Sequence, residues 1–162
     1  MKNELISNAT EFCTITSSEL IANPALGHGT DGSVWRTSRG TAVKSFFYEK
    51  NYRDELECYL RLMKYEISEI CGLAVPTYED SSDSLLTLEM SIVQKPYLLD
   101  FGKVYTDEPP PYFGDRQLMA NWYAEVRDLF ESDAETVHSV LFFLQKFGIY
   151  YVDPKPANIR FR

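Results

Sequence analysis

The sequence predicts an α+β fold, because strand-like and helix-like segments are segregated along the chain. Short runs rich in β-branched and aromatic residues, separated by turn residues, occupy the first half together with one helical pattern, and the second half is mainly helical. The length of 162 residues and the hydrophobic content of 44% suit one domain with a substantial core. We therefore expect a single domain over residues 1–162, with a β-rich part over about 1–90 and a helical part over about 91–162.

A β-hairpin is predicted near the start of the β-rich part. Residues 34–37 and residues 41–47 are two runs with strand-like composition, and the Ser-Arg-Gly sequence at residues 38–40 supplies a turn between them. Another buried strand is predicted over residues 85–93, which are mostly aliphatic.

A helix is predicted from about residue 51 to residue 70. Its apolar residues recur with the 3.6-residue period of an amphipathic helix. They are Tyr52, Leu56, Tyr59, Leu60, Met63, Ile67 and Ile70. Gly72 is expected to end this helix, because glycine favours the conformation that follows a helix C-terminus.

Two more helices are predicted in the second half, each with one apolar face. The first face consists of Leu118, Trp122, Val126 and Leu129, and the second of Val137, Val140, Leu141 and Leu144. Ser132 and Glu135 have the spacing of a capping box before the second helix. Strand-like residues 149–152 follow it.

The charge and the cysteines exclude several classes of protein. With 16 basic and 24 acidic residues the formal net charge is −8, which disfavours nucleic acids and anionic membranes as partners. The three cysteines form no metal-binding cluster and are expected to be reduced thiols. No apolar run approaches the roughly 20 residues that span a bilayer, and the first residues lack the apolar stretch of a signal peptide. We therefore expect a cytoplasmic protein.

A glycine-rich motif, G-x-G-x-x-G-x-V, is formed by Gly27, Gly29, Gly32 and Val34. Glycines at this spacing let backbone N–H groups approach phosphate oxygens, and the valine is suited to pack on a base. The motif lies between predicted strands and is not followed by a helix, so it does not fit a dinucleotide-binding turn. The alternative is a glycine-rich hairpin turn without a ligand.

Two charged residues, Lys44 and Glu55, follow the motif at positions from which they can reach a ligand beneath the loop or each other. Lys44 ends a β-branched run in the second strand of the hairpin, where it can lie beneath the glycine-rich loop and pair with phosphate oxygens. Glu55 lies near the edge of the apolar face of the predicted helix and can turn towards Lys44. The alternative for each is an ordinary surface charge.

The segment Asp153-Pro-Lys155-Pro-Ala-Asn158 is the strongest candidate for chemistry. Asp153 and Lys155 each precede a proline and therefore favour extended backbone, in which side chains two residues apart point to the same side. Asn158 offers an amide oxygen to a cation. A base, a cation and a metal ligand are the groups that phosphoryl transfer requires of a loop. The alternative is a proline-rich terminal tail.

Taken in order, these segments resemble the eukaryotic-like protein kinase superfamily in its shortened, atypical bacterial form. The resemblance covers roughly residues 26–161. The residues that carry it are Gly27, Gly29, Gly32, Val34, Ala42, Val43, Lys44, Glu55, Leu88, Glu89, Met90, Asp153, Lys155, Pro156 and Asn158. It implies a twisted antiparallel sheet with one helix, followed by a reduced helical lobe, with ATP in the groove between them.

The resemblance also implies a role for each site residue on the nucleotide side. Lys44 would hold the nucleotide phosphates, and Glu55 would orient Lys44. The segment of residues 88–91 would meet adenine, with Glu89 and Ser91 offering backbone groups. The ligands implied are ATP and Mg²⁺.

On the catalytic side, the resemblance implies that Asp153 is the catalytic base, that Lys155 faces the γ-phosphate and that Asn158 binds Mg²⁺. In this family a strand and a metal-binding Asp-Phe-Gly follow the asparagine, but here only four residues do, so half of the metal site is expected to be absent. An Asp-Phe-Gly sequence does occur earlier, at residues 100–102. Asp100 is expected either to lie in a turn of the connector or to reach the cleft as a replacement metal ligand or a ribose contact.

The sequence thus leaves three functions open. The first is a Mg-ATP-dependent phosphotransferase with an unidentified protein or small-molecule acceptor. The second is a pseudokinase that holds nucleotide and acts through a partner. The third is an α+β interaction protein that binds no nucleotide.

Overall fold

The computed structural model describes residues 2–162. The α-helices are α1 (Lys2–Ile15), α2 (Glu49–Lys64), α3 (Arg116–Phe130) and α4 (Ala134–Gln145). The strands of the first half are β1 (Leu20–Ile21), β2 (Gly27–His28), β3 (Gly32–Thr37), β4 (Thr41–Phe46), β5 (Glu69–Ile70), β6 (Leu73–Ala74), β7 (Tyr78–Ser82) and β8 (Thr87–Ser91). The later strands are β9 (Tyr97–Leu98), β10 (Val104–Thr106), β11 (Ile149–Tyr151) and β12 (Ile159–Arg160).

The main sheet is antiparallel and has the strand order β1-β3-β4-β8-β7, with β2 also paired to β3. The predicted hairpin is confirmed as β3 and β4, which pair with Trp35 opposite Val43. Gly40 closes the turn with φ of 79°, a conformation that glycine adopts without steric cost. Mixed helix and strand content with an antiparallel sheet confirms the predicted α+β class.

The two faces of the main sheet bury different partners, because successive strand residues point to opposite sides. Helix α1 covers one face with an apolar cluster made of Leu5, Ala9, Phe12, Cys13, Trp35 and Val43. The other face, with Ala42 and Phe46 of β4, joins the larger core formed with α2 and the second half of the chain. Lys44 lies two residues from Ala42 and two residues from Phe46 on the same strand. Its side chain therefore belongs to this second face.

Helix α2 is shorter than predicted. It ends at Lys64 instead of residue 70, and the chain returns as β5 and β6. Gly72 does not stop the helix, because Cys71 and Gly72 both have positive φ and form the two-residue turn of the β5–β6 hairpin. A 3.6-residue apolar period therefore continued by coincidence into Ile70, which is buried in a strand.

The second half contains the two predicted helices. The predicted apolar face of α4 is buried throughout, but that of α3 is buried only in part. The α4 face of Val137, Val140, Leu141 and Leu144 is buried. In α3 the buried residues are Val126 and Phe130, whereas Leu118 and Leu129 are about half exposed. The capping box does not form, because Ser132 lies within a short 3-10 turn that joins α3 directly to α4.

Two strand pairs in the second half bring distant loops together. Strand β10 pairs with β11, and β9 pairs with β12, both antiparallel. The loop at residues 99–103 connects β9 to β10, and the loop at residues 152–158 connects β11 to β12. Because their flanking strands are paired, these two loops lie side by side.

None of the helices described over residues 2–162 is long and apolar enough to cross a membrane.

Candidate functional site

A cleft of about 700 Å³ lies under the glycine-rich loop, defined here as residues 27–32. The loop joins β2 to β3, as the sequence predicted, and Gly29 N–H donates to the Gly32 carbonyl oxygen over 3.0 Å. All three glycines of the motif and Val34 line the cleft. A side chain at Gly32 has no room, because a Cβ there meets the backbone carbonyl of Ser45 on the neighbouring strand.

Lys44 and Glu55 form a buried ion pair at the inner end of the cleft. The Lys44 Nζ donates to Glu55 Oε2 over 2.6 Å, and the exposed fractions of the two residues are 7% and 1%. Glu55 thus lies in the centre of the buried face of α2, not at the edge that its spacing suggested. Strand β4 and helix α2 together hold the pair in place.

Asp100 also contacts Lys44, with its Oδ1 3.2 Å from the Lys44 Nζ. Asp100 therefore reaches the cleft, and residues 98–102 are more than a turn in the connector. Asp100 has φ of 66°, and the Gly102 N–H donates to its Oδ1 over 3.3 Å. This hydrogen bond holds the carboxylate towards the lysine.

The three charged groups shift one another's pKa values. Burial alone would lower the pKa of Lys44, but Glu55 and Asp100 outweigh it and raise that pKa above its ordinary value. Burial raises the pKa of Glu55 to about 7, against the pull of Lys44. Burial would also raise the pKa of Asp100, but Lys44 outweighs it and lowers that pKa. The cleft therefore keeps a charged ammonium at neutral pH, as binding of an anion requires.

Phe101 anchors the Asp-Phe-Gly segment in the core. It is fully buried and packs edge-to-face between Tyr59 of α2, at 5.3 Å between ring centroids, and Tyr151 of β11, at 5.7 Å. The Tyr151 hydroxyl donates to the Leu99 carbonyl over 2.8 Å. These contacts connect helix α2, the Asp-Phe-Gly segment and the C-terminal strands.

The C-terminal loop reaches the same cleft. Lys155 and Asn158 line it, and the Leu99 N–H donates to the Asn158 carbonyl over 2.8 Å beside the β9–β12 pair. Asp153 is 2.8 Å from the Lys155 Nζ and 3.8 Å from the Lys103 Nζ. Asp153 and Lys155 thus project together, but Asp153 itself does not line the cleft.

Two residues, Glu89 and Ser91, were expected to meet adenine at the other end of the cleft. Of these two, Glu89 does not line the cleft. Glu89 faces α1 instead of the cleft, because it shares a sheet face with Val43, and its buried carboxylate binds Arg39 and Thr41. Its backbone lies between two paired strands. Ser91 does line the cleft, although its N–H already donates to the Thr77 carbonyl.

Sequence reasoning missed several residues that line the cleft or hold its parts together. They are Asp31, Asn51, Tyr59, Ile92, Val93 and Lys103. Asp31 could have been found, because it lies inside the glycine motif. For Asn51 the sequence contains no signal, since its partners, Asp31 and Gly102, are remote along the chain.

The donor set of the cleft fits Mg²⁺ that arrives with a phosphate. Asp100 offers a carboxylate and Asn158 an amide oxygen, and both line the cleft. No three His, Cys, Asp or Glu side chains within residues 2–162 form a ready-made metal cluster. Mg²⁺ takes one or two carboxylates together with phosphate oxygens. Tyr59 lines the cleft, and its buried hydroxyl has no hydrogen-bond partner among the described residues.

Comparisons with known proteins give little beyond this geometry. No family model and no curated protein matches the chain. Among solved structures, the chain is similar to the streptomycin–ATP–APH(2″)-IIa ternary complex, with 18% sequence identity and a TM-score of 0.34. The similarity covers 70% of this chain and 35% of that one, so the chain spans about a third of that protein. Neither fold nor activity follows from a similarity at this level.

Proposed function

We propose that this protein binds ATP with Mg²⁺ in the cleft and transfers its γ-phosphoryl group to an acceptor, which is a protein or a small molecule. The observation that carries this proposal is the meeting of four groups at one cleft under a glycine-rich loop. Lys44 is paired with Glu55 and Asp100, and Asn158 lies on the adjoining loop. An ammonium held by carboxylates beside two oxygen ligands is suited to a polyphosphate and its metal ion.

The spatial arrangement of the segments, and not their order along the chain, supports a kinase-like protein with a different connectivity. In the family that the sequence resembles, the strand and Asp-Phe-Gly follow the asparagine-bearing loop, whereas here residues 97–102 precede residues 153–158. The β9–β12 pair nevertheless sets the two segments side by side. We infer that the segment expected to be missing is supplied from upstream, by a permuted order of the same parts.

In this proposal, the chain has two parts that meet near residue 90. Strand β8 is the last strand of the main sheet, and the next strand, β9, pairs with β6 and β12. We infer a single kinase-like domain in which α2 orients Lys44. The net charge of −8 disfavours nucleic-acid and anionic-membrane partners. We propose a cytoplasmic protein, because the three cysteines form no cluster and are expected to be reduced.

Each residue of the cleft, together with Asp153 on the same loop as Lys155, then has a task in binding and transfer. The glycine-rich loop covers the phosphates, and Lys44 binds them in the orientation that Glu55 maintains. Asp100 and Asn158 would hold Mg²⁺, and the bound ion would neutralise charge on the phosphate oxygens. Lys155 stabilises charge on the γ-phosphate, and Asp153 accepts the proton of the acceptor hydroxyl.

The apolar end of the cleft is suited to a flat heterocyclic base. Val34 and Ala42 line it from the main sheet, together with Met90 at the end of β8. Ile92 and Val93 continue the lining after β8 has ended. We propose that adenine packs between these side chains and that its polar edge meets the backbone after Ser91.

A thermal-shift measurement tests nucleotide binding. ATP at about a hundredfold excess over Kd adds ~2.7 kcal/mol, which raises the melting temperature by about 5–10 °C for a protein of this size. We expect Lys44→Met to lose this rise and Lys146→Met, which changes an exposed lysine after α4, to keep it. Because the first change leaves Glu55 buried and unpaired, the neutral pair Lys44→Met with Glu55→Gln is measured beside it.

Two results would contradict the proposal. If ATP raises the melting temperature equally in the wild type and in both Lys44 variants, Lys44 does not bind the phosphates. If no nucleotide raises the melting temperature of the wild type under any metal condition, both nucleotide-binding functions are excluded. The protein would then be an interaction protein that binds no nucleotide.

A second candidate function is a pseudokinase, in which ATP binds but no phosphoryl group is transferred. The observation that favours it is that Asp153 is engaged by Lys155 and Lys103 and does not line the cleft. Measurement of ATP turnover and autophosphorylation separates the two functions. A phosphotransferase loses about 10²–10⁴-fold in rate on Asp153→Asn, the usual contribution of a general base. Equal rates in both proteins identify the pseudokinase.

A further inference from the structure

Helix α2 contacts different parts of the site through one row of side chains. The row consists of Asn51, Glu55 and Tyr59, and residues four apart are neighbours on one face of a helix. Glu55 binds Lys44, and Tyr59 packs edge-to-face against Phe101. Asn51 begins the row in the first turn of the helix.

The Asn51 amide joins the glycine-rich loop to the Asp-Phe-Gly segment. Its Nδ2 donates to Asp31 Oδ1 over 3.0 Å and to the Gly102 carbonyl oxygen over 3.2 Å. Asp31 is the fifth residue of the loop and is only 8% exposed. One side chain of α2 therefore holds the loop against the segment that carries Asp100.

The two partners of Asn51 are themselves held by further hydrogen bonds. The Phe47 N–H, just after β4, donates to the Asp31 carbonyl oxygen over 3.0 Å. On the other side, the Gly102 N–H donates to Asp100 Oδ1 over 3.3 Å. The Asn51 amide is thus the link between two segments that are each fixed to a different part of the cleft.

The donors and acceptors explain why an amide suits position 51. The Asp31 carboxylate and the Gly102 carbonyl are both acceptors, and an amide NH₂ group supplies two N–H donors. An aspartate has nearly the same shape, but an ionised carboxylate supplies acceptors alone. It would also face the Asp31 carboxylate. The contact therefore depends on the chemistry of the Asn51 side chain and not only on its volume.

We propose that Asn51 is a positioning residue that holds the glycine-rich loop closed over a bound nucleotide and thereby slows its release. This inference rests on the proposed function, because it concerns the nucleotide taken by the same cleft. In that proposal the loop covers the phosphates. Lifting the loop away from the Asp-Phe-Gly segment breaks the hydrogen bond from Asn51 to a charged acceptor, and such bonds are stronger than those between neutral groups.

Stopped-flow fluorescence with Mg²⁺ and ATP that carries a methylanthraniloyl group measures association and release of the nucleotide. We expect Asn51→Ala and Asn51→Asp to raise the release rate constant about tenfold or more, because a hydrogen bond to a charged acceptor is lost. The association rate constant is expected to change less than about threefold, since changes in contacts act mainly on release. These rates describe binding, so the test applies to a phosphotransferase and to a pseudokinase alike.

Two further variants separate the amide chemistry from general disturbance of the fold. Asn51→Gln keeps two donors on a longer side chain and is expected to release the nucleotide more slowly than Asn51→Asp does. Asn121 is an exposed asparagine of α3, and Asn121→Asp is expected to leave both rate constants unchanged. Aspartate is favourable near a helix N-terminus, so Asn51→Asp is compatible with α2. Melting curves without ligand establish that each variant is folded.

A double-mutant cycle shows whether Asn51 acts through Asp31. Asp31→Ala and Asn51→Ala each remove one side of the same hydrogen bond. The double variant is therefore expected to release the nucleotide no faster than the faster single variant. Amide hydrogen exchange without nucleotide gives an independent measurement, in which residues 27–32 are expected to exchange faster in Asn51→Ala than in the wild type.

The outcomes distinguish this inference from the proposed function. If the wild type binds the nucleotide and Asn51→Ala and Asn51→Asp release it at the wild-type rate, the role of Asn51 is overturned and nucleotide binding stands. Equal release from Asn51→Gln and Asn51→Asp, additive effects in the cycle, or unchanged exchange of the loop also overturn that role alone. If the wild type does not bind the nucleotide, the proposed function fails and the role of Asn51 in release fails with it.

Discussion

The Lys44–Glu55 pair keeps two charged groups buried at the inner end of the cleft. A buried ammonium is stable only when its partners are close, and here two carboxylate oxygens lie within 3.2 Å of the Lys44 Nζ. Lysine keeps its charge in this setting because the carboxylates outweigh burial. Such a group can exchange one of its partners for a phosphate without losing its charge.

The stability of the folded protein is expected to depend on Glu55 between pH 4.5 and about 7. Burial raises the pKa of Glu55 to about 7 in the folded state, so the folded protein binds this proton more tightly than the unfolded chain does. The contribution of Glu55 is therefore fully present below pH 4.5 and is lost as the pH rises to about 7. Lys44 and Asp100 have pKa values shifted away from this window.

Urea unfolding of the wild type and of Glu55→Gln at several pH values measures this contribution. The unfolding free energy of the wild type minus that of the variant is expected to fall by roughly 1–3 kcal/mol from pH 4.5 to pH 7.5. Glu125→Gln, which changes an exposed carboxylate of α3, is expected to show no such trend. A difference that grows with pH contradicts the prediction.

The three glycines of the loop are expected to differ in their tolerance of a side chain. Gly32→Ala drives a Cβ into the Ser45 carbonyl, and we expect it to destabilise the protein by about 1–3 kcal/mol, as overpacking does. Gly27→Ala and Gly29→Ala are the matched controls, because no atom lies within 4 Å of a Cβ at either position. Urea unfolding of the three variants checks the order, and equal losses at all three contradict it.

At the scale of elements, Phe101 connects helix α2 to the C-terminal strands. Phe101→Ala removes a fully buried ring with edge-to-face contacts on both sides, and the expected cost is about 3–5 kcal/mol of unfolding free energy. Phe142→Ala removes the same ring from an exposed position on α4 and should change stability by less than about 0.5 kcal/mol. Chemical denaturation compares the two, and similar losses contradict the proposed connection.

Element boundaries and faces show where periodicity is informative and where it is not. The α4 face was predicted correctly, because that helix packs along its whole apolar stripe. The α3 face was wrong at Leu118 and Leu129, which are about half exposed, because the helix buries the side that carries Val126 and Phe130. The α2 helix was extended through Ile70 because a period identifies apolar positions without identifying the partner that buries them.

At the scale of the whole molecule, the cleft is assembled from segments distant in sequence. The glycine-rich loop and Lys44 come from the main sheet, Glu55 from α2, Asp100 from the segment after β9, and Asn158 from the C-terminal loop. Of the two positions that the sequence left open for Asp100, a turn of the connector or the cleft, the structure shows the cleft. The β9–β12 pair joins the end of the chain to its middle.

Several local features of this protein can be predicted from neighbouring residues alone. The hairpin around Gly40, the loop between two strands and the presence of Lys44 in a buried strand all follow from residue type and spacing over a few positions. Only the tertiary structure decided that Asp100 meets Lys44, that Asp31 enters the cleft and that Glu89 faces away from it. The physical reason is that strand pairing and the side from which a sheet is covered depend on residues far apart in the chain, whose mutual contacts no local pattern contains.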